Sequence, residues 1–182
     1  MKKLLAALSI LLSTTMSQAA EIKHGVSNNI EYIIIEGQIG DSDSKIFAEI
    51  FDKNPRTKAI FLNSNGGLVY EGMVIAGIVN HEKLDTFILN GKVCFSICAP
   101  IFFSGNRKFI QKEAMLGVHP AHENNSDQKS AEGNALIAWY FGRLGYDLGL
   151  VELWISADTK SLNYITADIN QKLGLGIISI DQ

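Results

Sequence analysis

The stretch KAIFLNSNGGLVYEGMVIAGIVNH, Lys58 to His81, decides the fold. Its apolar start, Ala59 to Leu62, reads as a short strand that runs through polar residues into Gly66-Gly67. From Leu68 the pattern becomes helical. Glycines at such a junction let backbone N–H groups approach a ligand closely, because no β-carbon stands in the way. The same alternation extends on both sides. IEYIIIEGQI (Ile30 to Ile39) is rich in β-branched residues and reads as a strand ended at Gly40. DSDSKIFAEIFDKN (Asp41 to Asn54) offers capping residues and then Ile46, Phe47, Ile50 and Phe51 on one helical face. Downstream, LDTFILNGKVC (Leu84 to Cys94) reads as one strand, ICAPIFFSG (Ile97 to Gly105) as a helix and EAMLGVH (Glu113 to His119) as a strand. This order predicts an α/β fold with a mostly parallel sheet flanked by helices.

The chain opens with MKKLLAALSILLSTTMSQAA: two lysines, an apolar stretch, then small residues. That is the layout of a secretory signal peptide. Ser17 and Ala19 occupy the small-residue positions of a cleavage site, so residues 1–19 are expected to be removed and the mature chain to begin near Ala20. The apolar stretch falls short of the roughly 20 residues a bilayer needs. Export to a bacterial periplasm is the expectation. Residues 20–182 match one domain in size, with enough chain to bury a core. The net charge is −3 and basic residues are scattered, so no nucleic-acid partner is expected.

Towards the C-terminus, ENNSDQK (Glu123 to Lys129) is a polar loop. Ser130 to Asp158 reads as one long helical region with an apolar stripe through Leu136, Trp139, Tyr140 and Leu144, which fits either a helix buried within one subunit or a face that also covers a second copy. Thr166 reads as an N-cap and Gly174 as a terminator of the short helix ADINQKL.

In a parallel α/β sheet, function gathers where strands end and helices begin. Three junctions qualify: NSNGGLVYEG, VCFSICAP and LGVHPAH. Ser96 falls where a strand turns into a helix, a place where serine commonly serves as an N-cap. It becomes a nucleophile only if a base reaches it. His119 ends an apolar strand at the same sheet edge, and an imidazole is the natural base near neutral pH. His122 lies further into the loop, while His24 and His81 have nothing suggestive nearby. Cys94 and Cys98 bracket Ser96. Bridged, they would tie strand end to first helical turn; unbridged, they would be small buried hydrophobes. A metal is not expected, since a C-x3-C pair with one distant histidine leaves tetrahedral zinc short of a ligand.

Taken together, these segments resemble the proteolytic subunit of the Clp protease and its superfamily, which includes the crotonases and signal peptide peptidase A. IIIEGQIGD is similar to the family's first strand and turn, and FLNSNGGLVYEG to its INSPGG segment. GKVCFSICAPIFFSG is similar to the serine segment, MLGVHPAH to the histidine strand, and YITADINQKLGLGIIS to the final helix and strand. The resemblance implies the Clp protease/crotonase-like fold of repeated β-β-α-type units. It makes Ser96 the nucleophile and His119 the base of an acyl transfer to peptide or protein substrates, with the N–H groups of Gly67 and Ile97 as oxyanion hole. It implies no metal or organic cofactor. Self-assembly of the chain is implied as well; the export signal argues against an ATP-driven unfoldase partner. Where the family carries its triad aspartate, this chain has Leu162. Asn163 or Asp158 would serve as orienter after a local shift; Asp168, inside the last helix, is a poorer candidate.

Two functions follow from this reading. One is an exported serine peptidase or related hydrolase working through a Ser96–His119 dyad or atypical triad. The other is a catalytically silent member of the fold that binds peptide or assembles without cleavage, for which Leu162 speaks. An acyl-CoA enzyme of crotonase type fits poorly with export, because that substrate is cytosolic.

Overall fold

The computed structural model describes residues 19–123, 126–158 and 160–181; the expected leader up to Gln18 lies outside them. Strands β1 (Glu21–Ser27) and β2 (Ile30–Glu36) form an antiparallel pair. Parallel strands β3 (Thr57–Asn63), β4 (Asp85–Ile88), β6 (Lys108–Gln111) and β9 (Ile177–Ile180) continue the sheet in the order β1-β2-β3-β4-β6-β9. A second sheet joins β5 (Val93–Phe95), β7 (Met115–Val118) and β8 (Asn163–Tyr164). Six helices complete the chain: α1 (Asp43–Lys53), α2 (Val69–His81), α3 (Cys98–Phe103), α4 (Ala131–Arg143), α5 (Leu148–Ser156) and α6 (Ala167–Leu173).

Side chains on a strand alternate between faces, and β2 shows it: Ile33 and Ile35 are buried while Tyr32 and Ile34 are only half-buried. The buried face joins Phe47 and Phe51 of α1 and Met73, Ile75, Ala76 and Val79 of α2 in one core. The opposite face carries an aromatic row, Tyr32, Phe61, Phe87 and Phe109, with successive ring centroids 5.2, 5.0 and 4.6 Å apart. Every residue of α3 is buried, as expected of a helix apolar all round. Phe102 and Phe103 each contribute about 2–3 kcal/mol there by area removed from water.

Several sequence expectations need correction. LDTFILNGKVC is two strands, not one: β4 belongs to the large sheet and β5 to the small one, and Asn90-Gly91 makes the turn between them. Asn90 holds the break by accepting from the Glu113 N–H at 2.9 Å and donating its own N–H to Gln111 at 2.7 Å. The long helical region is likewise two helices, α4 and α5, parted at Gly145 and restarted by the Asp147 carboxylate capping Gly149 N–H at 2.7 Å. The first expected strand stops at Glu36 rather than Ile39. Thr166 does cap α6, accepting from Ile169 N–H, and Gly174 ends it in the left-handed conformation.

Candidate active site

The end of β5 is clamped on both sides. Ser64 N–H donates to Val93 O at 2.8 Å and Phe95 N–H to Ser64 O at 2.9 Å, while Ser96 N–H donates to Gly117 O of β7 at 3.1 Å. Ser96 then turns with φ 54°, a left-handed conformation that costs a non-glycine residue about 1–3 kcal/mol. Such strain persists only where the surroundings over-determine it. The disulfide between Cys94 and Cys98, Cα atoms 5.2 Å apart, is part of that restraint, because it ties the residue before Phe95 to the first residue of α3.

The capping role open to Ser96 in the sequence is not the one it takes. Ile97 holds the N-cap position, α3 has no side-chain cap, and Ser96 contributes its carbonyl, which accepts from Ala99 N–H at 2.9 Å. Its Oγ makes no hydrogen bond among the described residues. The hydroxyl is thus free for chemistry.

Gly66 (φ 98°) and Gly67 (φ 146°) sit against this turn. A β-carbon on Gly66 would lie 2.6 Å from Ser96 Cβ. Ile39 N–H donates to Gly66 O at 2.8 Å and Leu68 N–H to Ile39 O at 2.9 Å, the pattern of a parallel bridge in which the Gly67 N–H points away from Ile39. Neither Gly67 N–H nor Ile97 N–H has a hydrogen-bond acceptor among the described residues. Two idle donors beside a strained serine are the raw material of an oxyanion hole. Ser64 was not read from the sequence as a site residue, yet it holds this junction together: its backbone grips β5 and its Oγ accepts Gly66 N–H at 3.1 Å. A buried serine directly before Asn-Gly-Gly was the available signal.

His119 follows β7 and is half-buried, its ring stacked 6.2 Å from that of His122. Burial lowers its pKa below the ordinary histidine value and the His122 ring lowers it further, with a smaller opposing effect from the Pro120 backbone. It is therefore neutral near pH 7, the form a base requires. Its Nδ1 is buried and has no hydrogen-bond partner, and no hydrogen bond joins the ring to Ser96.

The two candidate orienters are not brought to it. Asn163 pairs with Val118, whose side chain points to the opposite face from that of His119, and its amide group donates to Leu153 O (2.7 Å) and Ser156 Oγ (2.9 Å). Asp158 lies exposed in a turn closed by Ser161. Extending the β7–β8 register by one step sets Leu162 opposite His119. Leu162 Cδ2 and the Phe95 ring both lie within 3.4 Å of where a Gly117 β-carbon would be, and Phe95 stacks edge-on with Tyr164 at 6.0 Å. Apolar side chains fill the face on which a carboxylate would have to stand.

A groove of about 670 Å³ adjoins the site, lined by Leu68, Tyr70, Glu71, His122, Glu123 and Leu136 among others. Ser96, His119, Gly67 and Ile97 are not in its lining; it approaches them through Leu68, which follows Gly67, and His122, three residues beyond His119. A second concavity, of about 560 Å³, lies on the aromatic face of the large sheet and includes none of the candidate residues. Among the described residues no cluster of three or more His, Cys, Asp or Glu could hold a metal, and no helix is long and apolar enough to cross a membrane.

Among solved structures, the chain is similar to a membrane-bound stomatin-specific protease determined as a serine-to-alanine mutant. The TM-score is 0.58 at 18% sequence identity, over 81% of this chain and 77% of that one. The fold is accordingly the mixed α/β fold of that protease. No family model and no curated protein sequence matches the chain.

Proposed function

We propose that the chain is an exported serine-type hydrolase of the Clp protease and crotonase superfamily, acting on peptide or protein through Ser96 and His119 without a carboxylate as third member. The observation that carries this reading is the Ser96 turn: a left-handed serine with an unengaged hydroxyl, packed on Gly66 and flanked by the idle N–H groups of Gly67 and Ile97. The solved neighbour is itself named a protease, which accords with it.

The steps are those of acyl transfer. Ser96 Oγ attacks the scissile carbonyl carbon as its proton passes to His119. The carbonyl oxygen, now negative, accepts from Gly67 and Ile97 N–H. His119 returns the proton to the leaving amine, and water, deprotonated by the same imidazole, releases the acyl group from Ser96. Lacking an acid at Nδ1, the imidazolium is held by nothing but its surroundings, so turnover is slow; an orienting aspartate is worth about 10⁴ in rate. Incubation of the mature chain with a mixed peptide library, read by mass spectrometry against Ser96→Ala, tests the reading. New fragments absent from the variant support it. Identical peptide profiles in both argue for the second function, binding without cleavage, which the unpartnered Nδ1 of His119 and the leucine at position 162 favour. The exposed Trp139 and Leu136 of α4 support assembly with a second copy.

A further inference from the structure

Asp43, the first residue of α1, is fully buried, and none of the ion pairs among the described residues includes it. Its Oδ2 accepts two backbone N–H groups, from Gly40 at 2.7 Å and from Ala20 at 2.9 Å. Oδ1 is equally enclosed and has no partner. A buried carboxylate without a counter-charge, half of it unsatisfied, is costly. The α1 N-terminus offsets only part of that cost. The N–H it reaches across 23 positions belongs to Ala20, the residue at which the small-residue pattern Ser17-Gln18-Ala19 places the new chain start.

We propose that Asp43 is a built receptor for the α-amino group created when the Ala19–Ala20 bond is hydrolysed. Water adds across the peptide bond, Ala19 leaves with a new carboxylate, and the Ala20 nitrogen takes up protons to become an ammonium. The amide had one N–H to give. The ammonium has three, enough to keep Oδ2, serve Oδ1 and supply the missing positive charge in one step. Ala20 is buried, so a peptidase must reach the Ala19–Ala20 bond before this part of the chain folds. An export-coupled signal peptidase acts at that stage. The same Oδ2 holds Gly40, and Ile39 beside it brackets Gly67 through its N–H and carbonyl. The processed terminus is thereby tied to the loop that carries the idle Gly67 N–H. That last link bears on catalysis only if the proposed function holds; the ion pair itself does not depend on it.

The test compares the chain beginning at Ala20 with one beginning at Gln18, each with Asp43 and with Asp43→Asn. N-terminal sequencing of the exported protein should return Ala20. The Ala20 chain should melt roughly 5–10 °C above the Gln18 chain, and Asp43→Asn should abolish the difference. In the folded Ala20 chain, the α-amine should react with an acetylating ester at least tenfold more slowly than after unfolding in urea. A different exported terminus, equal melting of the two chains, or an α-amine that acetylates as fast folded as unfolded would overturn the proposal. Should Asp43→Asn not fold, the melting and acetylation of the two Asp43 chains decide it alone. None of these readouts requires the protein to hydrolyse anything, so a silent Ser96 leaves the outcome intact.

Discussion

Gly117 pairs with Tyr164 and Val118 with Asn163, and Leu162 Cδ2 lies 3.4 Å from where a Gly117 β-carbon would be; continuing that ladder by one residue sets Leu162 across from His119, on the Gly117 face of the small sheet. Paired residues of an antiparallel ladder lie about 4.5–5.5 Å apart at Cβ. A carboxylate at position 162 would consequently come within reach of Nδ1, which is buried and unpartnered. Leu162→Asp should speed reaction of Ser96 with a fluorophosphonate by tenfold or more at pH 7, out of the roughly 10⁴ an orienting acid can supply. An unchanged or lower rate in a folded variant would show that Nδ1 does not face this position.

The environment of His119 fixes the sign of the pH dependence. Burial and His122 hold its pKa below the ordinary value of about 6.5, so the base form persists as pH falls through 6.5 and the labelling rate declines only below it. Stability runs the same way. The unfolded histidine takes up a proton near 6.5 and the folded one resists, so this contribution is complete above 6.5 and erodes as pH falls towards the folded value. A rate profile with its midpoint at or above 6.5 contradicts the assignment, and His119→Gln should flatten the histidine share of the urea-stability slope.

Gly66 packs so closely on Ser96 that no room is left for a β-carbon. Gly66→Ala puts a methyl group 2.6 Å from Ser96 Cβ at φ 98°, and should cost about 1–3 kcal/mol in urea unfolding and lower Ser96 labelling at least tenfold. Wild-type stability together with wild-type labelling would mean that the junction is looser than described.

The Cys94–Cys98 bridge closes a short loop, four positions in sequence, for which chain entropy gives a stabilisation of about 2 kcal/mol. Unreduced mature protein should show no free thiol by mass, and the double alanine variant should unfold at lower urea by that amount. Two alkylatable cysteines in the unreduced protein would refute the bridge.

Much of this arrangement was readable in the residues. Ile33 and Ile35 alternate with half-buried neighbours, and the glycines at 66 and 67 mark a strand-to-helix turn by composition alone, so β2, β3, α1 and α2 were legible. Strand β6 was not, because Lys108 to Gln111 is short and flanked by charge, and its identity comes from pairing with β4 and β9. The break between β4 and β5 was marked by Asn90-Gly91, a turn dipeptide, but that the two strands join different sheets shows only in their pairing. At the site, Ser96 and His119 stand out by type and position. The role of Asp43 was hidden because its partner, Ala20, lies 23 residues away, and only the fold joins them.

The central claim is that Ser96 is a nucleophile activated by His119. Purified mature protein treated with a fluorophosphonate, beside Ser96→Ala and His119→Ala, and read by intact mass, tests it most directly. The account predicts one adduct on the wild type, none on Ser96→Ala and a rate at least 100-fold lower on His119→Ala. A folded wild-type protein that takes up no probe would contradict it and leave binding without cleavage as the function of this site.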